Sequence, residues 1–307
     1  MSKKQLGKTD IMLSQFAIGT ATFGNVYGKM QKNVMNEVVD MAIKNNLNYF
    51  DTSPYYGKTL SEINLGDALQ NHDRNTFIVS TKVGRYGDDI FDFSASTILT
   101  SLDDSLKRLK LDYVDILLLH DIEYGNIDVI LNEALPALQK IKNSGKARYI
   151  GFSCYPVDLI KKVIEKSHIK IDVILSYAHY CMLNNKLDNI IPFLKDHDVG
   201  IINASPLCMG LLSTNPVTEW HPAPFSMSSY IQHQSLLLQM RTKVKIENYA
   251  LNYVLYNSNI STTLVGIRTL DELKNIIAIL KKDVTFNEDI YVDIFNFLDK
   301  YHNVELE

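Results

Sequence analysis

The chain has 307 residues, of which 46% are hydrophobic and 21% charged, and a formal net charge of −4. No basic stripe is long enough for nucleic acid, no apolar run approaches the roughly 20 residues of a membrane-spanning helix, and the N-terminal lysines are not followed by an apolar signal stretch. The three cysteines, Cys154, Cys181 and Cys208, are odd in number and lack metal-type spacing, so neither a disulfide framework nor a metal site is expected, and a reducing cytoplasm is the default compartment.

Residues 3 to 14 predict a small hairpin turning at Gly7-Lys8, placed to plug the bottom of a barrel. Eight apolar, β-branched runs follow: Phe16 to Thr20, Asn48 to Ser53, Phe77 to Gly84, Tyr113 to His120, Ala147 to Ser153, Val173 to Ala178, Gly200 to Pro206 and Thr263 to Ile267. Their near-continuous hydrophobicity fits parallel strands buried on both faces. Helical periodicity falls between them, at Val34 to Asn46, Ser94 to Lys110, Ile127 to Asn143, Asp158 to Lys166, Lys186 to His197, Lys243 to Asn257 and Leu270 to Lys282. Strand–helix repetition with right-handed crossovers predicts an α/β fold, a (β/α)8 TIM barrel over residues 1–307 as one domain with a C-terminal helix. An open doubly wound sheet is the alternative, but GTATFGNVYG after the first strand lacks its Gly-rich fingerprint. Residues 213–240 carry three prolines and the only tryptophan, and read as a long aromatic loop after the seventh strand, covering a site.

In a barrel the chemistry lies where the strands end. Those ends read Asp51, Lys82, His120, Ser153, Ser176, Ser205 and Gly266. A charge ending a buried strand needs a partner, so Asp51 and Lys82 are expected to pair. Tyr55 and Tyr56 follow Asp51 closely. An ammonium beside a phenol lowers its pKa from about 10, so Lys82 is expected to make a tyrosine a usable acid or base near neutrality, with His120 orienting a substrate oxygen. Each residue alone is more often structural; the argument rests on three successive strands ending this way.

The segments NYFDTSPYYGKTLSEINLG, STKVG, YVDILLLHD, GKARYIGFS and ASPLCMGLL resemble the aldo-keto reductase family over essentially the whole chain. The resemblance implies a catalytic tetrad of Asp51, Tyr56, Lys82 and His120, with Tyr56 as proton donor or acceptor. It implies cofactor contacts from Gly19, Thr20, Asp51, Ser153, Ser176, Ser205, Leu207, Gly266, Arg268 and Glu272. IDVILSYAHYCMLN and TEWHPAP are most similar to the members that oxidise the anomeric hydroxyl of free aldoses. On that reading Tyr55, His120, His179, Tyr180, Trp220 and His221 would contact a sugar such as L-galactose, L-fucose or D-arabinose. Cys154 and Ser176 stand where the family has carboxamides, and Ala204 where it has an aromatic, which leaves the nicotinamide contacts open. The Lys–Arg clamp on a 2′-phosphate falls on Gly266 and Glu272, so NAD is the expected cofactor, with NADP the alternative through Arg268. A carbonyl reductase using NADPH and a non-catalytic, cofactor-bound regulatory subunit remain the competing readings, and the oligomeric state is left open.

Overall fold

The computed structural model describes residues 3–306. A hairpin of β1 (Lys3–Gln5) and β2 (Met12–Ser14) opens the chain. Eight parallel strands follow: β3 (Phe16–Gly19), β4 (Tyr49–Asp51), β5 (Ile78–Val83), β6 (Val114–Leu119), β7 (Ala147–Ser153), β8 (Val173–Tyr177), β9 (Gly200–Ala204) and β10 (Thr262–Gly266). Each pairs with its neighbours in sequence, and β10 pairs with β3 through Thr263↔Phe16 to Gly266↔Gly19. That pairing closes the barrel and excludes an open sheet, in which the first and last strands would be edges.

Side chains alternate along each strand, so one set fills the barrel and the other packs under the helices. Ala17, Tyr49, Leu118, Leu175, Ile202 and Leu264 belong to the central set. Phe16, Ile18, Phe50, Val79 and Leu117 belong to the outer one. Leu6, Ile11 and Leu13 from the hairpin join the central set and seal the bottom. The Gly7 turn lies flat against β9: a Cβ there would stand 2.5 Å from the Gly200 nitrogen. Access to the centre is therefore from the top, where the strands end.

The helices are α1 (Lys32–Lys44), α2 (Leu60–Leu69), α3 (Ala95–Leu109), α4 (Ile127–Val129), α5 (Leu135–Asn143), α6 (Val157–Lys166), α7 (Ile191–Asp196), α8 (Phe225–Thr242), α9 (Ile246–Tyr253), α10 (Leu270–Lys281) and α11 (Glu288–Leu298). A π-helical stretch, Ile130–Ala134, makes α4 and α5 one continuous element. Two corrections to the sequence reading follow. Helix α2 was not expected: it is short, contains Gly66, and buries Ser61 and Glu62, which blurs its periodicity. Glu62 is nonetheless satisfied, accepting from Thr81 Oγ1 at 2.6 Å and from Arg108 Nε at 2.6 Å. Residues 213–240 are also not loop throughout, since α8 occupies their second half. Its apolar residues surround the helix: Met227, Ile231 and Leu238 are buried while Phe225, Leu237 and Met240 are exposed. No single apolar stripe marks it as helical, and all three prolines precede it.

One backbone contact positions the site. Gly57 adopts φ +62°, and a Cβ there would come within 2.1 Å of the Gly24 carbonyl oxygen. A Cβ on Gly24 would in turn meet the Tyr56 carbonyl oxygen at 2.6 Å. The loop after β4 is thus pressed onto the segment after β3 with no room for side chains. Replacing Gly57→Ala adds both a left-handed strain and a backbone clash, so the variant is expected to lose roughly 1–3 kcal/mol of stability. Thermal unfolding followed by circular dichroism measures this, and a melting temperature equal to wild type would contradict the contact.

Candidate active site

The site begins from the alternation of the strands. Tyr49 faces the barrel centre, so Asp51 two residues on does too. The same count from Ser80 brings Lys82 inward, and from Leu118 it brings His120. All three emerge at the top, where Lys82 Nζ donates to Asp51 Oδ2 at 2.6 Å. Both side chains are nearly inaccessible, at 1% and 2% exposure, so the pair answers the cost of burying either charge. Lys82 places its other donors on the Thr52 carbonyl at 2.8 Å and Tyr56 Oη at 3.2 Å. Its three protons are all used. Because Tyr56 Oη accepts from Lys82, the phenol's own proton is free to point elsewhere. Asp51 Oδ1 accepts from Ser80 Oγ at 2.6 Å.

His120 is oriented by a residue that sequence reasoning missed. Ser53 Oγ accepts the Tyr55 N–H at 3.1 Å and lies 3.0 Å from His120 Nδ1. The Asp121 carboxylate, an acceptor only, lies 3.5 Å from Nε2 and favours the ring proton there, which leaves Nδ1 to accept from the Ser53 hydroxyl. Burial pushes the imidazole pKa down to about 3, overriding the Asp121 carboxylate nearby. His120 is a neutral hydrogen-bond donor. Tyr56 departs from the sequence expectation. Burial, then the negative charge of Asp51 and of Asp121, pushes its phenol well above the ordinary value of 10. The Lys82 ammonium, 3.2 Å from the phenol oxygen, is outweighed by that burial and by the two carboxylates.

A cleft of about 1880 Å³ runs from these four residues past the loops after β9 and β10. Gly19, Tyr55, Ser153, Trp220, Ser205, Leu207, Gly266, Arg268 and Glu272 line it as the sequence suggested. Ser205, Cys208, Met209 and Gly210 have positive φ, giving a tightly curled wall. Buried oxygens on Thr22, Glu123 and Glu247, all on the cleft wall, have no hydrogen-bond partner among the described residues. An elongated cleft with orphaned polar atoms suits a ligand as long and as polar as a dinucleotide.

Other expected contacts lie elsewhere. Thr20 is fully buried and shares hydrogen bonds with the Asp51 carbonyl and Ser61. Ser176 faces away from the barrel centre and its hydroxyl is buried; alternation brings Tyr177 to the cleft instead. His179 is packed on Tyr155 and fastens Glu305 of the C-terminal tail at 3.3 Å. Tyr180 is buried and stacks on Tyr253. His221 holds its own loop, between the Cys208 carbonyl and the Ala223 N–H, at 3.0 Å each. Of the cysteines, Cys181 Sγ donates to the Ala178 carbonyl at 3.9 Å and Cys154 Sγ to the Pro156 carbonyl at 3.5 Å, and all three are buried.

Further cleft residues were missed. Arg85 Nη1 binds Asp121 Oδ2 at 2.6 Å, and its guanidinium lies over the Tyr55 ring at 3.9 Å from the centroid. Tyr27 meets Trp220 edge-on at 5.4 Å. Glu123 accepts from the Tyr155 N–H at 3.1 Å and from Tyr177 Oη at 3.0 Å. Burial, reinforced by Asp121, pushes its carboxyl up to about 7. The HDIEY run after β6 was the available signal, because it puts two more carboxylates just past a strand end.

Residues 15–294 match the Aldo/keto reductase family. The chain is 42% identical over 278 residues to L-galactose dehydrogenase of Arabidopsis thaliana, covering 90% of this chain and 86% of that one. It is 30% identical over 283 residues to D-arabinose 1-dehydrogenase of Saccharomyces cerevisiae, covering 85% and 81%. Among solved structures, an aldo-keto reductase from Bacillus halodurans in its holo form superposes with a TM-score of 0.77 at 26% identity, covering 97% and 96%. With a closed barrel, an Asp–Lys–Tyr–His group in which Asp51, Lys82 and His120 are buried and Tyr56 is partly exposed, and a long cleft at the strand ends, the chain belongs to the aldo/keto reductase family and is an NAD(P)-dependent oxidoreductase.

Proposed function

We propose that the enzyme oxidises the anomeric hydroxyl of a free aldose to the lactone. The observation that carries this is the convergence of Tyr56, His120 and the Arg85–Asp121 pair at one mouth. Two donors meet a substrate oxygen there, and a charged pair stands beside them for neighbouring hydroxyls. Tyr27, Tyr55 and Trp220 supply the aromatic surface on which a sugar ring can pack. The two dehydrogenases above act on sugars, which is consistent with this reading.

A bound nicotinamide dinucleotide would supply the acceptor for the hydride that leaves the anomeric carbon. Ser205, Leu207, Gly266, Arg268 and Glu272 would hold it along the cleft, with Ser153 toward its nicotinamide end. The chain's own residues move the proton. His120 Nε2–H steadies the reacting oxygen, Tyr56 takes the proton as phenolate, and Lys82 stabilises that phenolate through the 3.2 Å contact. Tyr56→Phe should lower turnover about 10²- to 10⁴-fold with dinucleotide affinity nearly unchanged. Near-normal turnover, or a larger loss in Tyr55→Phe, would remove Tyr56 from this role.

The high Tyr56 pKa has a direct kinetic consequence. Oxidation needs phenolate, whose fraction rises about tenfold per pH unit below the pKa. Sugar oxidation should therefore rise through neutral pH and keep rising to about pH 10, because the phenol sits above 10. His120, at about 3, stays neutral throughout and adds no limb. Glu123, at about 7, is the cleft carboxyl able to inflect the profile near neutrality, and Glu123→Gln separates its contribution. A plateau beginning below pH 8 in that variant contradicts the assignment.

A phenol protonated at neutral pH also favours proton donation, the direction of carbonyl reduction. A panel of aldoses and simple aldehydes, run with both dinucleotides in both directions, decides between the readings. Far greater efficiency on simple aldehydes with NADPH than on every aldose would favour the reductase.

NAD is the proposed cofactor, because Gly266 and Glu272 stand where a phosphate clamp would be, and a carboxylate near the ribose repels a 2′-phosphate. Glu272 Oε2 also accepts the Arg268 and Thr269 N–H groups at 2.7 and 3.1 Å and completes a capping box on α10. Glu272→Gln keeps an acceptor there but removes the charge. Its NAD-to-NADP efficiency ratio should move toward NADP by about tenfold. An unchanged ratio shows that this charge does not set the preference.

A further inference from the structure

Asp121 is held more firmly than its position in a loop requires. It has φ 52°, a left-handed conformation uncommon outside glycine and more readily adopted by aspartate than by most side chains. Its contacts are specific. Arg85 Nη1 meets Oδ2 at 2.6 Å, Ser153 Oγ donates to Oδ1 at 3.0 Å, and the Asp121 N–H donates to Ser153 Oγ at 2.8 Å. Arg85 is itself pinned on the Tyr55 ring. The residue is only 5% exposed, yet it lines the cleft. A carboxylate has about four acceptor directions, and the Arg85 and Ser153 side chains use two.

Its distance from the reacting centre gives the remaining directions a use. Asp121 Oδ2 lies 3.5 Å from His120 Nε2, the donor that meets the substrate oxygen. Oxygens on adjacent carbons of a sugar ring are separated by about a hydrogen-bond length. A substrate that places its reacting oxygen on His120 therefore brings the hydroxyl of the next carbon to the Asp121 carboxylate. We infer that Asp121 reads the hydroxyl on the carbon adjacent to the reacting one, and that this enzyme is selective for substrates carrying that vicinal hydroxyl. A substrate lacking it leaves the remaining acceptor directions of a buried carboxylate unfilled, which penalises the analogue. The inference rests on the aldose reading and deepens it; Arg85 and Ser153 act through Asp121 as positioning residues.

The test compares L-galactose with 2-deoxy-L-galactose for wild type, Asp121→Asn and Asp121→Ala, following cofactor reduction. Melting temperature and dinucleotide affinity, read from Trp220 fluorescence, establish that each variant is folded and loaded. Wild type should favour the parent sugar in kcat/KM by about 10- to 100-fold. In Asp121→Ala the two sugars should fall within about threefold, because the parent drops toward the deoxy analogue while dinucleotide affinity is kept. Should Asp121→Ala fail to fold with Arg85 left unpaired, the ratio in Asp121→Asn decides, and it should shrink by about tenfold. A wild-type ratio near one, or a ratio as large in the folded variant as in wild type, overturns the inference while leaving the aldose reading intact. Absence of turnover on L-galactose and every other aldose overturns the aldose reading, and this inference with it.

Discussion

The ion pair between Asp51 and Lys82 is the constraint from which the rest of the site follows. Each charge is removed from water, and deleting one partner of such a pair typically costs about 3–5 kcal/mol because the other is stranded. Once made, the 2.6 Å contact fixes the ends of β4 and β5 relative to each other and leaves Lys82 two further protons to place. One goes to the Thr52 carbonyl and the other to Tyr56, so the phenol is located by the same group that keeps the carboxylate buried. The close approach of Gly57 to Gly24 holds the loop bearing Tyr56 at the height where that third bond is made.

The mouth beyond the pair combines two electrostatic characters. His120 and Tyr56 are kept neutral by burial, which suits groups that must give or receive a hydrogen bond without attracting counter-ions. Arg85 and Asp121 are charged but mutually neutralising, and they are rigid because both are anchored on neighbouring side chains. The aromatic rings of Tyr27, Tyr55 and Trp220 line the same opening, so apolar and hydrogen-bonding surfaces are interleaved at a scale that fits a sugar rather than a flat hydrocarbon.

Much of this was legible in the chain because it depends on local period. Eight buried runs announced the barrel, and polar residues ending three successive runs announced Asp51, Lys82 and His120. What failed was non-local. His179, Tyr180 and His221 look like mouth residues from their proximity to strand ends, yet their partners are Glu305, Tyr253 and the Cys208 carbonyl, all contributed from elsewhere in the chain. Ser176 is a different kind of miss: alternation along β8 turns Tyr177 inward, and counting from Leu175 gives that answer. Helix α2 was hidden because it buries polar groups whose partners, Thr81 and Arg108, belong to other elements. The pKa of Tyr56 was misjudged for a related reason. The Lys82 ammonium was weighed without the burial of the phenol and the carboxylates of Asp51 and Asp121, which together outweigh it.

The cap on α10 carries an implication for how such an enzyme can diverge. Glu272 ties the start of the helix to the backbone of Arg268 and Thr269, while its side chain also faces the cleft. A single substitution to a cation at this position would unfasten the helix at the same time as it altered the charge presented to a ligand. The helix terminus would have to be secured by another residue first, or the change compensated soon after. Structural anchoring and ligand choice are bound together in one carboxylate, so a neutral acceptor can be reached in one step, whereas a cation at this position needs a paired change.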